Sequence, residues 1–161
     1  MSDKNISFWF EEFDSDADLT QQDISLLNIA RQITKQAYAP YSEFFVGAAA
    51  RLSDGNIVTG TNQENASSPV GICAERVLLS AITSLHPNIS VDTIAISYNN
   101  KKGLSDHPVA PCGICRQSLV EFEQRFSKKI KIILAGRTGK IYIVKSASDL
   151  LPLMFSSTDL D

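Results

Sequence analysis

The sequence is poor in several residue types that usually announce a function. It holds three cysteines, two histidines and one tryptophan. An odd cysteine count fits a disulfide framework poorly and suits a reducing compartment, where thiols bind metal instead. No stretch approaches the ~20 apolar residues of a membrane span. The apolar run Ile6 to Phe10 is followed at once by Glu11, Glu12 and Asp14, which is not the form of a signal peptide. A basic excess is also missing. Lys and Arg number 15 against 18 Asp and Glu, leaving a net charge of −3, so phosphate neutralisation is not how this chain takes a partner. The pairs Lys101-Lys102 and Lys128-Lys129 read as solvated loop or helix ends. Repeats and low-complexity segments are absent. The expectation is a cytoplasmic protein without nucleic-acid or membrane partners.

What is present is an ordinary globular composition, 161 residues with 43% hydrophobic and 20% charged. A chain of this size suits one domain that buries roughly two-thirds of its unfolded surface. The expected organisation is an N-terminal extension over residues 1–18, with a small strand from Ile6 to Phe13, and a single domain over 19–161. Thr20-Gln21-Gln22-Asp23 has the form of a capping box. Behind it Leu26, Ile29, Ala30, Ile33 and Ala37 recur at helical spacing, and the helix must end by Ala39 because Pro40 follows. Phe44 to Leu52 and Ile57 to Thr61 read as a hairpin around Ser53-Asp54-Gly55-Asn56. A polar loop runs from Asn62 to Gly71. Val77, Leu78, Ala81, Ile82 and Leu85 then mark a helix that stops before Pro87. Val91 to Tyr98 is a strand and Asn99 to Ala110 an exposed polar connector. A helix starts near Cys112, strands follow at Lys129 to Ala135 and Ile141 to Val144, and a short helix opens at Ser148. This order predicts an α/β fold, a three-layer α/β/α sandwich around a mixed five-stranded sheet.

All the cysteines fall in two short stretches, Gly71-Ile72-Cys73-Ala74-Glu75-Arg76 and Ala110-Pro111-Cys112-Gly113-Ile114-Cys115-Arg116-Gln117. Three thiolates, Cys73, Cys112 and Cys115, can hold Zn²⁺ at three corners of a tetrahedron and leave the fourth to water. Glu75, two residues after the first ligand, is the right kind of group to move that water's protons. Both stretches fall at helix starts, where free N–H groups and the dipole stabilise thiolates. Three thiolates make the zinc electron-rich, and Arg76 is a candidate to withdraw that density by hydrogen bonding to sulfur; its plain alternative is a surface salt bridge.

Other readings compete. A closed structural zinc site needs four protein ligands. His86 falls at the far end of its helix, and His107, in the connector before Cys112, reads better as a solvated loop histidine. A nucleophilic cysteine lacks a histidine in any comparable motif. A zinc-stabilised binding module without catalysis remains a reading from a different class, and Glu75 would then be an exposed first-turn carboxylate.

With these residues assembled, the chain from Leu26 to Leu160 resembles the small cytidine deaminases, the homotetrameric three-cysteine branch. The resemblance runs through Ala39-Pro40-Tyr41-Ser42, Phe45-Val46-Gly47-Ala48-Ala49, Asn62-Gln63-Glu64-Asn65-Ala66, Cys73-Ala74-Glu75-Arg76, Pro111-Cys112-Gly113-Ile114-Cys115-Arg116-Gln117 and Leu150-Leu151-Pro152. Its zinc pattern is shared by many nucleobase deaminases; the Asn-x-Glu-Asn-Ala stretch narrows it to free nucleosides. The resemblance implies hydrolytic deamination of cytidine and 2′-deoxycytidine, with one zinc per chain. Water activated at the metal would attack C4, and Glu75 would pass its proton to N3 and later protonate the departing amine. Backbone groups at Ala74 and Pro111 would hold the base edge, Asn62 and Glu64 the ribose 3′-hydroxyl, and Phe44 would stack near the base. Phe155 matches an aromatic that reaches a neighbouring subunit's pocket. One departure stands out: Ser67-Ser68 occupies the place of a common aromatic before Pro69, which puts the 5′ contacts of the sugar in question. A rival within the class is a deaminase of a modified nucleoside or a nucleoside antibiotic such as blasticidin S.

Overall fold

The computed structural model describes residues 1–160. Helix α1 (Gln21–Ile33) starts at Thr20, whose hydroxyl oxygen accepts from the Asp23 amide at 3.2 Å. The reciprocal half of the capping box is not made. The buried Asp23 carboxylate instead accepts from the Thr20 hydroxyl at 2.8 Å and from Lys131 Nζ at 2.7 Å, which offsets the cost of burying its charge. The helix ends at Ile33 and a single 3-10 turn, Thr34–Gln36, carries the chain towards Pro40.

Next come β2 (Phe44–Leu52) and β3 (Ile57–Thr61), joined through Gly55 at φ +88°, a left-handed conformation that a Cβ disfavours. Helix α2 (Ala74–Leu85), β4 (Val91–Asn100), α3 (Gly113–Phe126), β5 (Lys131–Ala135) and β6 (Ile141–Val144) follow. The expected five-stranded sheet has a sixth strand, because β1 (Phe10–Phe13) pairs antiparallel with β6. Without it β6 would present an open row of backbone donors and acceptors. Phe10 packs on Tyr142 with ring centroids 4.7 Å apart, and Lys140 and Lys145 pair with Glu12 and Glu11 across the junction. The strand order is β1-β6-β5-β4-β2-β3, and β4 with β5 is the parallel pair that makes the sheet mixed.

Alternation along the strands builds the layers. Ala48, Ala50, Leu52, Ile94, Ile96, Ile132 and Leu134 pack under α2 and α3. Ala49, Ala95, Ile133, Ala135 and Ile143 pack with Leu26, Leu27 and Ala30 of α1. The result is the expected α/β/α sandwich. At Gly60 the first turn of α2 lies directly on β3: a Cβ there would meet Leu78 N at 2.4 Å and Ala74 O at 2.6 Å.

The C-terminal segment is fastened to α3 from inside. The buried Glu123 carboxylate accepts from the amides of Ile130 at 2.6 Å, Ala147 at 2.8 Å and Ser148 at 3.0 Å, and from the Ser146 hydroxyl at 2.9 Å. The short helix expected from Ser148 is one 3-10 turn, Ala147–Leu150, and a further 3-10 turn, Ser157–Asp159, follows it.

Candidate metal centre and active-site cavity

Cys73 is the N-cap of α2 and Cys112 the N-cap of α3, while Cys115 sits one turn into α3. Two helix starts therefore deliver all three thiols to one point, and their sulfurs lie within 4.8 Å of one another. Cys73 Sγ and Cys112 Sγ are 3.8 Å apart. Tetrahedral zinc with Zn–S bonds of about 2.3 Å places its sulfurs about 3.8 Å apart, so the donor set fits the ion in chemistry and in spacing. Hydrogen bonding between Cys73 and Cys115 holds Cys73 down to about 6 and pushes Cys115 up. Metal binding would displace the protons that remain.

Glu75 is 5% exposed. Burial pushes its carboxyl above the usual carboxylate range, opposed by its own backbone amide and by Cys115. A carboxyl tuned upward beside a metal can both accept and return a proton near neutral pH. The adjoining Ala74 N–H belongs to the first turn of α2, where helical amides lack intrahelical partners. Arg76 acts on Cys73 through its charge, and among the described residues its guanidinium makes no hydrogen bond to a sulfur.

The centre closes one end of a cavity of about 370 Å³ lined by Ser42, Phe44, Val46, Asn62, Glu64, Cys73, Ala74, Glu75, Ile96, Tyr98, Val109, Ala110 and Cys112. That volume lies in the range of small-molecule sites. Asn62 is held by β2: its Oδ1 accepts from Val46 N at 2.7 Å and its Nδ2 donates to Phe44 O at 2.9 Å, which leaves one amide proton for a ligand. Glu64 Oε2 accepts from the Tyr41 amide at 2.8 Å and the Ser42 amide at 3.3 Å. Hydrogen bonds from Ser42 and Tyr41 hold this carboxyl below its usual value. Phe44 lines the cavity with its ring stacked on Tyr98, centroids 4.8 Å apart.

Two more residues named from the sequence are not part of the lining. The Pro111 carbonyl accepts from Arg116 Nε at 2.8 Å, and the cavity is lined there by Val109 and Ala110 instead. Phe155 lies outside the cavity, exposed, its carbonyl taken by Gln117 Nε2 at 2.8 Å. Sequence reasoning missed Tyr98. On a strand with alternating apolar positions it reads as core, and nothing local marks it as a cavity wall. Burial raises the pKa of its hydroxyl.

The comparisons with known proteins agree with this geometry. Residues 20–130 match the family model described as the cytidine and deoxycytidylate deaminase zinc-binding region. The chain is similar to a cytidine deaminase of Halalkalibacterium halodurans, 37% identical over 136 residues that cover 84% of this chain and 96% of the relative. A cytidine deaminase of Sporosarcina psychrophila is 35% identical over 135 residues, 84% of this chain and 92% of that one. The crystal structure of a cytidine deaminase from Burkholderia pseudomallei superposes with a TM-score of 0.71 at 35% identity, covering 85% of this chain and all of that chain. The three-cysteine cluster, the glutamate beside it and the sandwich that joins them fall inside or along these matches, and the chain belongs to the cytidine and deoxycytidylate deaminase family.

Proposed function

We propose that this protein is a zinc-dependent hydrolase that converts cytidine and 2′-deoxycytidine to the uridines and ammonia, in pyrimidine salvage in the cytoplasm. The observation that carries the reading is the buried Glu75 beside three converging thiols at one end of a nucleoside-sized cavity, with the hydroxyl acceptor Glu64 in its wall. Zinc held by Cys73, Cys112 and Cys115 supplies the Lewis acid that activates water for attack at C4. Glu75 carries the protons, giving one to ring N3 and one to the departing amine. Ala74 and the Val109 to Pro111 segment orient the base edge, and Arg76 moderates the charge of the thiolates. Asn62 and Glu64 take the sugar hydroxyl. A substrate lacking that hydroxyl leaves a carboxylate unpaired in the site and is disfavoured.

The catalytic unit is a single domain over 19–161, and residues 1–18 are an extension whose strand seals the sheet. Val70, Ile114 and Phe155 are large, apolar and exposed, which supports a homotetramer in which Phe155 reaches a neighbour's cavity. No helix among the described residues is long and apolar enough to cross a membrane.

The test is incubation with cytidine, deoxycytidine, cytosine and CMP, with and without a zinc chelator, following ultraviolet change and ammonia. Turnover of the two nucleosides alone, abolished by the chelator, is expected. A modified nucleoside is the second reading. Ser68 lines a recess of about 430 Å³ that shares Asn62, Glu64 and Cys73 with the inner cavity, so a substituent beyond the sugar has space. Zinc-loaded protein inert towards all four compounds would favour that reading.

A further inference from the structure

One wall of the cavity is lightly held. Val109, Ala110 and Cys112 line it, and they belong to the connector of residues 101–112 between β4 and α3. The backbone groups of residues 106–110 make no hydrogen bond among the described residues. Arg116 holds the far end, through the Pro111 carbonyl. The near end rests on the turn between β5 and β6, residues 136–140. There the Ser105 carbonyl accepts from Arg137 N at 2.7 Å and Thr138 N at 3.3 Å. The contact is backbone on backbone: a Cβ at Gly136 would meet Ser105 O at 2.3 Å, and one at Gly139 would meet Asp106 O at 1.8 Å. Where the turn sits, the connector sits with it.

The turn is held in its own right by an arginine from the opposite layer. Arg31 of α1 donates from Nε to the buried Gly136 carbonyl at 3.1 Å. Its terminal nitrogens donate to both oxygens of Asp16, Nη1 to Oδ2 and Nη2 to Oδ1 at 3.1 Å. Asp16 opens a 3-10 turn, Asp16–Asp18, in the N-terminal extension. A guanidinium is a rigid planar fork, so a carboxylate that fixes two of its nitrogens also aims the third. The Arg31 side chain is only 16% exposed, and a charge so nearly buried depends on its partner. The same extension holds the other end of the turn, where Phe13 pairs with Ile141 and Glu12 with Lys140.

We propose that Asp16 and Arg31 are positioning residues for the active site: acting through the β5–β6 turn, they set where Val109, Ala110 and Cys112 stand. The N-terminal extension thereby does more than close the sheet edge. The kinetic part of the proposal rests on the function proposed above. Support of this kind matters because a site held about 1 Å too loosely loses much of its binding and rate.

The experiment compares the zinc-loaded, full-length wild type with D16A, R31M and R31K. In R31M the Gly136 carbonyl keeps the Ser97 hydroxyl at 3.2 Å, so no buried acceptor is stranded and the fold should hold. R31K keeps a charge for Asp16 but has no fork to reach Gly136 as well. In D16A and R31M, amide exchange at Arg137 and Thr138 and release of Zn²⁺ to a chelator should quicken about three- to tenfold, the worth of one hydrogen bond. KM for cytidine should rise by a similar factor while kcat changes less than about twofold. R31K should melt near the wild type yet match R31M in exchange and KM. E11Q cuts a pair with Lys145 in the same extension, away from the turn, and should behave as wild type. Unchanged exchange at Arg137 and Thr138 in both D16A and R31M overturns the proposal. So does quickening that spreads equally through β2 and β4, which marks general loosening, and so does a full return to wild-type exchange and KM in R31K, which would make Arg31 an ion-pair partner alone. If the wild type turns over no cytidine, the proposed function fails by itself, and exchange with zinc release still decides the role of Asp16 and Arg31.

Discussion

Gln117 Nε2 donates to the Phe155 carbonyl at 2.8 Å across 38 residues of chain. The contact is one of a row along α3, with Arg116 Nη1 on the Leu150 carbonyl at 3.0 Å and Gln124 Nε2 near Met154 sulfur at 3.9 Å. The tail is bound by its backbone, which leaves the Phe155 ring exposed and available to a neighbour. Phe155→Ala should leave zinc content intact, shift sedimentation towards smaller species and raise KM about tenfold, as loss of an aromatic anchor at an interface does. A variant with unchanged assembly and unchanged KM would remove Phe155 from any cross-subunit role.

Glu75→Gln keeps shape and burial and removes the proton carrier. Turnover should fall by at least about 10²–10⁴, with one zinc still bound. Melting temperature should hold or rise, since a buried acid is replaced by a neutral amide. Steady-state rates with metal analysis on the same sample check this; measurable turnover near wild type would end the proton-carrier role.

Cys112→Ser removes the ligand at the N-cap of α3 while leaving the other two thiols in place. Zinc should drop well below one per chain, and the chelator-induced fall in melting temperature expected of the wild type should vanish. Calorimetry with and without chelator separates this from general misfolding.

Glu64 provides a pH prediction. Its folded carboxyl lies below the ordinary 4.5, so what it contributes is complete above that value and is lost only as pH falls through the lower folded value. The KM ratio of Glu64→Gln to wild type should therefore stay flat from about pH 8 to about pH 5. A ratio that drifts across this window would show the carboxyl titrating there.

Glu123→Ala strands the buried amides of Ile130 and Ala147 and the Ser146 hydroxyl. The expected loss is about 3–4 kcal/mol, or roughly 10 °C in melting temperature for a chain of this size. Glu123→Gln should recover part of it, since its oxygen still accepts. Thermal unfolding of the two variants side by side is the check.

Much of this was readable from residue order. The limits of the β2–β3 hairpin match alternation and the Asp54-Gly55 turn, and the two cysteine stretches do start helices. Asp23 shows where local reading stops. Its spacing to Thr20 suggests a capping box, yet Lys131, distant in sequence, takes the carboxylate. The sixth strand was visible as Ile6 to Phe13 but not its partner, because edge pairing depends on which strand is left open. That Tyr98 lines the cavity went unread for the same reason: a cavity is a relation between elements, and no periodicity records it.

Gly60 has a consequence beyond its own packing. With no side chain between β3 and α2, the sheet sets how deep the helix bearing Cys73 and Glu75 can seat, while Cys112 and Cys115 ride on another helix. Zinc held by all three cysteines would therefore gauge the layer spacing: a chain whose α2 sits slightly high could stay folded and still fail to hold the ion, so metal content would report how the two helices are seated.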